Sequence, residues 1–357
     1  MRLAVVASDL PHPQGTAAGR DLWAWCEAVL ALGHELEAWI WYRSPLSPEG
    51  PVPWWAHYDP VPAGPRWRAH LRGLVLPRSD AATARWRPPD DAVPVADHLL
   101  SASAVLGLPR SVVTLHYRAL LDARSVHQVQ LRDVQSARGE RRAARHAELV
   151  LAYSERVGRG LAKPAHTVPI THPIPDVAIA TVEEPVAALL ADWTWPPNAV
   201  ALSTLLSAWP AAHNELPGAR LVLGGRGFPA EKVGTMAGVE VVGPVADSLE
   251  VLGRAAMVAF PCPASSGPKV KTLEALAHGL PVLTSTAGME GIGVDDDLRR
   301  SLVADGAGFG ARLVELLRSP EERHRLGARG RQAVAEHHSP KAAAQARLDL
   351  FARAFGR

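Results

Sequence analysis

The first 43 residues follow a pattern that narrows the fold sharply: an apolar strand, a loop, a helix and a second strand. Residues 2–7 (RLAVVA) form the uninterrupted apolar run of a buried strand. A helix is predicted over 20–32, closed by Gly33, and 34–42 (HELEAWIWY) has the composition of the next strand. Strand, helix and strand in this order predict a βαβ unit, and therefore a parallel sheet in an α/β protein.

The same alternation returns in the second half of the chain. In the first half, further strands are predicted at 111–117 and 149–154, with a helix over 122–147 between them. A proline-rich segment, 163–177, is the expected linker. Beyond it come predicted strands at 186–193, 219–225, 239–245, 257–262 and 280–286, helices at 198–209 and 272–279, and C-terminal helices broken at Ser319-Pro320 and Ser339-Pro340. We therefore expect two Rossmann-like, doubly wound domains, 1–172 and 183–340.

Composition excludes several other classes of protein. A chain of 357 residues with 47% hydrophobic and 21% charged residues suits two globular domains. A formal net charge of +2 is too balanced for nucleic acid to be the main partner. No run of 18 uncharged apolar residues is long enough to span a membrane, and the N-terminus lacks the features of a signal peptide. Two cysteines are expected to be reduced, and the expected location is cytoplasmic.

The most informative segment is SSGPKVKTLEALAHGLPVLTSTAGMEGI, residues 265–292. It follows a buried strand and opens a helix, at the edge where parallel sheets bind ligands. Free N–H groups at a helix start favour an anion such as a diphosphate, and Gly267 lets the backbone approach it. Lys269 and Lys271 add positive charge. Glu274, one turn into the helix, has a carboxylate that can accept both hydroxyls of a ribose.

This segment resembles the donor-site signature of retaining glycosyltransferases of the GT-B fold, in the bacterial "group 1" (family 4-like) set. The matching residues are Gly267, Lys269, Lys271, Glu274, Ala275, Ala277, Gly279, Pro281 and Val282. The resemblance implies two Rossmann-like domains with an inter-domain cleft, and a last helix, 341–357, that crosses back to the first domain. It also implies that Glu274 holds the nucleotide ribose and that the loop up to Val270 holds the diphosphate. Many relatives carry a further Glu for the sugar, where this chain has Ser266.

Matches elsewhere add candidate donor-binding residues. The loop of Gly15 and Thr16 resembles the family's first glycine loop, which borders the cleft; the alternative is a loop without a chemical role. ADWTWPPN (191–198) resembles the opening of the second domain, but Trp195 and Asn198 stand in the area where some relatives place an Arg and a Lys for the phosphates. The phosphate charge would then fall on Lys271, Lys269 or Arg226, and an unengaged surface side chain is the alternative for Arg226.

His116 ends the predicted strand 111–117, where family members often carry a histidine near the sugar. Together with Lys271 and Glu274 it completes the catalytic residues that we expect, and a purely structural His116 is the alternative. The resemblance implies reaction on the front face of the sugar, with the leaving phosphate taking the acceptor proton. Positioning and stabilisation of the departing charge are then the work of the protein.

Other motifs fail on inspection. GGRG at 224–227 is not a dinucleotide fingerprint, and GPKVKT lacks the ending of a phosphate-binding Walker loop. The run Asp295-Asp296-Asp297 is expected to be a solvated loop and not a metal site. The resemblance to GT-B enzymes, which do not generally need a metal, likewise implies that neither a metal nor a cofactor is required.

Residues 41–95 are the most unusual part of the chain, because prolines interrupt them and Trp alternates with Arg in RWRAHLRG and ARWRPP. An aromatic-lined acceptor cleft, a basic surface on anionic lipid and an irregular packed loop all remain open.

The sequence thus predicts transfer of a sugar from a nucleoside diphosphate sugar to a small-molecule acceptor, as in natural product biosynthesis. Three alternatives remain: an epimerase of the same fold, a non-catalytic nucleotide-sugar-binding or partner protein, and a peripheral membrane enzyme with a lipid acceptor.

Overall fold

The chain, described by a computed structural model over residues 1–13, 15–43, 53–61, 86–180, 182–229 and 233–356, forms two compact units. The first unit comprises Met1–Arg124, Gln128–His172 and His338–Arg357. The second comprises Ser125–His127 and Pro173–His337. The C-terminal segment thus belongs to the first unit.

The first unit is built on a seven-stranded parallel sheet. Its strands are β1 (Arg2–Ala7), β2 (Glu35–Arg43), β3 (Ala56–Val61), β4 (Val93–Ala96), β5 (Val112–Leu115), β6 (Leu149–Ala152) and β7 (His166–Thr167). Their order in the sheet is β3-β2-β1-β4-β5-β6-β7, and every neighbouring pair is parallel. The chain reverses its direction of progress between β1 and β4, and a crevice for ligands forms at the carboxyl ends of strands at such a point.

Helices cover this sheet. They are α1 (Ala17–Ala31), a 3-10 helix (Leu99–Ala104), α2 (Ala119–Ser125), α3 (Leu131–His146) and α4 (Glu155–Gly158). Thr16 starts α1, because its hydroxyl accepts a hydrogen bond from the Gly19 N–H at 3.1 Å. Gly33, with φ +81°, follows the end of α1 in the left-handed region that glycine tolerates best.

The second unit is built on a five-stranded parallel sheet in the order β10-β9-β8-β11-β12. Its strands are β8 (Val186–Leu190), β9 (Arg220–Gly224), β10 (Val239–Gly243), β11 (Met257–Phe260) and β12 (Val282–Thr284). Its helices are α5 (Pro196–Glu215), α6 (Leu249–Leu252), α7 (Val270–Ala277), α8 (Asp296–Leu302), α9 (Gly308–Arg318) and α10 (Pro320–His338). Here the order reverses between β8 and β11, so the loops after these two strands lie beside the crevice.

The last helix, α11 (Pro340–Phe355), packs on α1 in the first unit, with Leu348 and Phe351 buried. The sequence predicts breaks at Ser319-Pro320 and Ser339-Pro340, and helices do begin at Pro320 and Pro340, where a proline at the first helical position costs no hydrogen bond. Among the described residues, no helix is both long and apolar enough to cross a bilayer.

Several predicted elements differ from those observed. The single helix expected over 122–147 is wrong: α2 and α3 are separated by a turn in which His127 has φ +55°, a value that a helix interior cannot contain. The sequence did not predict β4 or β7. Nor did it predict β3, which lies in a proline-interrupted stretch. It is accommodated because β3 is the edge of the sheet, where Pro60 need not donate to a neighbour on its open side.

The Trp-rich stretch 41–95 is only partly described. Residues 44–52 and 62–85, which include RWRAHLRG, lie outside the described residues, so the alternatives for them stay open. Trp55 and Trp86 are buried, and the Trp86 ring packs edge-on against Trp39 at 5.5 Å, so these two rings belong to the core. Trp54 is 80% exposed.

Candidate functional site

The loop between β11 and α7 is the centre of the site in the second unit. It leaves the carboxyl end of a fully buried strand, and Ser265 and Ser266 turn inward and are buried. Gly267 has φ +74°, a conformation that favours glycine, and its N–H donates to Glu290 Oε1 at 3.0 Å. The buried turn therefore brings the Gly267 backbone and the Glu290 carboxylate together.

Lys269 holds this loop together. Its ammonium donates to the carbonyl oxygens of Ser266, at 3.1 Å, and of Gly267, and the residue is only 6% exposed. The sequence placed Lys269 among the donor-binding residues on account of its charge. The structure engages that charge with the carbonyls of the loop, so its direct effect there is to fix the shape of the loop.

α7 begins at Val270 and presents its first backbone N–H groups at the same edge. Such groups have no partner within the helix, and the helix dipole concentrates positive potential there. Lys269, the residue before the helix, provides no side-chain cap. This end of α7 is therefore suited to an anion.

Lys271 lies beside the start of α7. Its Nζ donates to Asn198 Oδ1 at 2.7 Å and lies 4.4 Å from the centroid of the Phe260 ring. Burial lowers the pKa of Lys271 to about 8. Asn198 is itself oriented by a bond from Nδ2 to the Asp192 carbonyl at 2.7 Å. The ammonium is thus held by an amide and an aromatic face, without an ion-pair partner at salt-bridge distance among the described residues.

Glu274 lies one turn further along α7 and is half-buried. Its Oε1 accepts a hydrogen bond from the Ser248 hydroxyl at 2.7 Å, which links α7 to the start of α6. A carboxylate that already accepts one hydroxyl hydrogen has the chemistry that a ribose diol requires. Lys271 and Glu274 therefore lie on one short helix, at the sheet edge predicted from the sequence.

Arg226 follows β9 and makes a surface ion pair. Its Nε and Nη2 donate to Asp192 Oδ2 at 3.0 and 2.6 Å, and its side chain is 75% exposed. Hydrogen bonds from Arg226 and then Thr194 hold the pKa of Asp192 at about 2. Gly225 must be glycine, because a Cβ there would lie 1.8 Å from the Ala191 carbonyl oxygen. These contacts join the loops after β8 and β9.

Gly15 and Thr16 lie in the first unit, in the exposed loop after β1. The Gly15 N–H donates to the His12 carbonyl at 3.1 Å, and the Thr16 hydroxyl caps α1. Gly19 allows no side chain, because a Cβ would lie 2.2 Å from the Leu10 carbonyl oxygen. Close packing of this loop against the start of α1 therefore requires a glycine at position 19.

His116 follows β5 directly, as predicted, and its imidazole faces a buried carboxylate. Nε2 lies 3.7 Å from Asp97 Oδ2, and their side chains are 10% and 2% exposed. The His116 ring also packs against Tyr153 and His98, with centroids at 4.6 and 4.9 Å. Neither Asp97 oxygen nor His116 Nε2 has a hydrogen-bond partner within the described part of the chain.

Charge explains the titration of this pair. Burial lowers the pKa of His116, but Asp97 outweighs it and the pKa is raised. Burial likewise raises the pKa of Asp97, and the His116 charge more than offsets that, so the pKa is lowered. His98 behaves differently: burial, reinforced by the His116 charge, lowers its pKa to about 3, so it stays neutral. Each member of the pair therefore favours the charged form of the other.

A second buried network adjoins His116. Asp21 in α1 accepts hydrogen bonds from the Tyr153 hydroxyl and from the Thr171 N–H, the latter at 2.7 Å. Arg347 in α11 donates to Asp21 and to the Tyr153 hydroxyl, at 3.4 and 3.0 Å. Sequence reasoning missed Asp21, Asp97 and Arg347, because they are far apart along the chain and belong to no motif.

Asp21, Asp97 and His116 are the one group among the described residues whose ligand atoms lie close enough, within 4.8 Å, to hold a metal ion. Arg347 already supplies a cation beside Asp21, 3.4 Å away. A metal ion would have to displace or tolerate that charge. We therefore interpret the cluster as an ion-pair network.

The acidic run at 295–297 is not the solvated loop that the sequence indicated. Asp295 caps α8 by accepting the Leu298 N–H at 2.8 Å, and Asp296 begins the helix. Arg329 pairs with Asp295 and Asp297 at 2.9 and 2.6 Å. Carboxylates are preferred at a helix N-terminus, which explains the run without a metal.

Comparison with known proteins fits this geometry. The sequence model of the family "Glycosyl transferases group 1" matches residues 184–319. This match confirms, for the second unit, the resemblance drawn from residues 265–292. A search of curated proteins finds no match.

Solved structures share the fold. Anabaena HepE in complex with UDP has a TM-score of 0.69 at 13% identity, covering 99% of this chain and 100% of HepE. WaaG, a glycosyltransferase involved in lipopolysaccharide biosynthesis, has a TM-score of 0.64 at 16% identity, covering 98% of this chain and 99% of WaaG. Trehalose-6-phosphate synthase OtsA has a TM-score of 0.66 at 12% identity, covering 98% of this chain and 99% of OtsA. The predicted pair of Rossmann-like domains of the GT-B type is confirmed.

The chain is shorter than some of its structural relatives. It spans 55% of the length of S. aureus TarM, which matches 73% of this chain at 12% identity with a TM-score of 0.61.

Proposed function

We propose that this chain, which resembles the group 1 glycosyltransferases in sequence over its second unit and in fold throughout, transfers a hexose-type unit from a nucleoside diphosphate sugar to an acceptor hydroxyl or amine. One observation carries the proposal. The start of α7, the Lys271 ammonium and the Glu274 carboxylate follow one another in that order along α7, the helix that comes after the carboxyl end of β11. A diphosphate followed by a ribose requires that order of charges.

The donor would bind along α7. The diphosphate would take the first N–H groups of the helix and the Lys271 ammonium, which is poised to exchange a neutral amide partner for an anion. Glu274 would accept the ribose hydroxyls, replacing or sharing the Ser248 hydroxyl. HepE, whose complexes contain UDP and UDP-glucose, suggests that a uridine donor be tested first.

The chemical step would depend on stabilising the leaving group. Cleavage of the bond between the sugar and the diphosphate leaves additional negative charge on the phosphate oxygen. Once the donor is bound, Lys271 and the positive end of α7 would already face the diphosphate, so this charge would develop without further reorganisation. The leaving phosphate would accept the proton of the acceptor, and transfer would retain the anomeric configuration.

Lys271 and the helix dipole supply the positive charge that this step requires, so we propose that transfer needs no metal ion. We propose a small-molecule acceptor bound by the first unit, and a cytoplasmic location. Product analysis by NMR, which reports the anomeric configuration directly, tests retention once an acceptor is identified. Flotation with anionic vesicles, comparing the full chain with a variant shortened over 62–85, tests the alternative of a lipid acceptor.

The decisive experiment is calorimetric titration with UDP, GDP, TDP and NAD, with and without EDTA. Binding of one nucleoside diphosphate, unaffected by EDTA and lost in Glu274→Ala, is the expected result. The titration is repeated with Lys271→Met, which should also weaken binding. The matched control is Lys341→Met, because Lys341 is an exposed lysine of α11. Binding of NAD alone, or of no nucleotide, would refute the donor-site assignment.

The pH dependence of binding provides an independent test. Since the pKa of Lys271 is lowered to about 8, the free protein loses this charge as the pH rises above that value. An anion binds the charged form, so nucleotide affinity should fall about tenfold from pH 7 to pH 9. Lys271→Met should abolish the fall, whereas an unchanged profile in that variant would assign the titration to another group.

A further inference from the structure

Glu290 lies at the edge of the proposed donor site, although it belongs to neither the loop before α7 nor the helix itself. It follows β12, which pairs in parallel with β11. The carboxyl ends of both strands therefore meet at one edge of the sheet. There Glu290 Oε1 accepts the Gly267 N–H at 3.0 Å, joining two loops that are 23 residues apart.

The segment that carries Glu290 is firmly held on both sides. Arg299 in α8 donates to the Met289 carbonyl at 3.2 Å and to the Ile292 carbonyl at 3.0 Å. The carbonyl of Gly288 accepts a hydrogen bond from the Thr272 hydroxyl of α7 at 3.2 Å. A side chain added at Gly288 would collide with Thr284, whose Oγ1 would lie 1.8 Å from the new Cβ. The backbone that positions the carboxylate is thus fixed by its neighbours.

The position of Glu290 relative to a bound donor follows from the geometry of α7. Glu274 lies four residues beyond Val270, which corresponds to about 6 Å along the helix axis. The Gly267 N–H, where Glu290 is bound, lies on the opposite side of the helix start from Glu274 in chain order. With the ribose at Glu274 and the diphosphate at the helix start, the next group of the donor, its sugar, reaches the loop of Gly267.

The negative charge of Glu290 suits a sugar as its neighbour. A carboxylate close to a diphosphate repels it, so this position is unfavourable for binding of the nucleotide portion alone. Sugar hydroxyls are hydrogen-bond donors, and an ionised carboxylate is an acceptor that can bind two of them. Ser266, the residue before Gly267, has only a short hydroxyl and is 6% exposed. The loop between β11 and α7 contains no Asp or Glu, so Glu290 supplies the carboxylate at this position.

We propose that Glu290 is a specificity-determining residue that accepts hydrogen bonds from hydroxyls of the donor hexose. This inference rests on the proposed function, because it takes the diphosphate position from that proposal. Recognition of the sugar is thereby assigned to a residue outside 265–277, whereas recognition of the nucleotide stays with residues inside that segment.

The test separates sugar recognition from nucleotide recognition by calorimetry. Each variant is titrated with three pairs of probes: UDP and UDP-glucose, GDP and GDP-mannose, TDP and TDP-glucose. Glu290→Gln retains an oxygen that can accept the Gly267 N–H and therefore preserves the loop. Glu321→Gln, an exposed glutamate of α10, is the control. Thermal melting of each variant checks that the fold is retained.

The expected result is that Glu290→Gln leaves the Kd of the free diphosphate unchanged and raises the Kd of its sugar ester about tenfold. An equal loss for both members of the pair would make Glu290 a structural support of the loop and overturn the inference, while the proposed function stands. The same would follow if neither Kd changed. If the wild-type chain binds no member of any pair, the proposed function fails, and the inference fails with it.

Discussion

The loop around Gly267 in the second unit and the cluster around His116 in the first unit occupy equivalent places, each at the carboxyl ends of a parallel sheet. They are constructed differently. The first consists of backbone N–H groups, one half-buried lysine and carboxylates with polar neighbours, all within residues 265–292 apart from Asn198, Ser248 and Phe260. The second consists of buried charges that balance one another, drawn from residues 21 to 347.

This difference indicates a difference of role. Where positive groups lack an anionic partner, as at the start of α7, an incoming anion can supply the missing charge. Where a carboxylate and a cation are buried together, desolvation has already been offset internally, and removal of one partner leaves the other uncompensated. The start of α7 and Lys271 thus present positive charge as the proposed donor site requires, whereas the charges of the first unit pair with one another.

The largest expected effect concerns Arg347. Its guanidinium is buried and bonds Asp21, Tyr153 and the Pro169 carbonyl, connecting α11 to the core of the first unit. Arg347→Met should lower the free energy of unfolding by about 3–5 kcal/mol, since Asp21 loses its cation. Urea unfolding measures the change, with the exposed Arg353→Met as control. A loss below about 1 kcal/mol would mean that the first unit does not depend on this charge.

The second effect concerns turnover. Lys271→Met should reduce kcat for donor hydrolysis or transfer about 10²–10³-fold, the loss typical when one stabilising donor is removed from a site of developing negative charge. The folding stability of the variant should change little or improve, because a partly desolvated ammonium is removed. If kcat falls no further than in Lys341→Met, the two regions do not differ in the way described above.

The third effect concerns the charge of His116. Asp97→Asn removes the carboxylate that raises the pKa of His116 and leaves the burial that lowers it, so the pKa of His116 should fall. NMR titration of labelled histidine measures it. Other charged or titratable groups surround His116 and Asp97, and their charges also act on the His116 titration. These groups are His98, Asp21, Asp9, Tyr153, Cys26 and Arg347. An unchanged pKa would show that Asp97 does not control His116.

The sign of the linked stability follows from the same shift. The folded pKa of His116 lies above the unfolded value, so its contribution to stability is fully present below the unfolded pKa. That contribution is lost as the pH rises through the folded pKa. In Asp97→Asn this loss between the two pKa values should disappear.

The smallest effect is expected for Arg226. Its side chain is 75% exposed and pairs with Asp192 at the surface. Arg226→Ala should change the Kd of a nucleoside diphosphate less than about fivefold, because exposed pairs are screened by solvent. Calorimetry against the wild type measures this. A loss as large as that in Lys271→Met would place Arg226 in the phosphate site, as the sequence suggested.

The fold was predictable because its signals are local. Buried parallel strands are apolar runs such as 2–7 and 257–260, and the helices begin and end at residues such as Pro320, Pro340 and Gly33. The misses have local causes too. β3 was hidden by Pro60 and β4 by Pro94, because a proline within a short apolar run argues against a strand, and the turn at His127 carries no glycine or proline to mark it.

The local arrangement of the candidate site in the second unit was predictable for the same reason. Gly267, Val270, Lys271 and Glu274 lie within one turn and one helix, so their spacing in the sequence fixes their spacing at the sheet edge. The direction of a long side chain is not fixed in that way. Lys269, whose sequence position differs from that of Lys271 by two residues, extends back to the carbonyls of its own loop.

By itself, then, the sequence determined the two parallel α/β units and the position of the helix start at Val270, because periodicity and short spacing act through neighbouring residues. Only the tertiary structure brought Asp97 to His116, Arg347 to Asp21 and Glu290 to Gly267. These pairs join residues up to 326 positions apart, and depend on which strands lie side by side and which helix packs on which. No periodicity along the chain encodes such contacts, since the free energy that selects them arises from burial of the whole sheet.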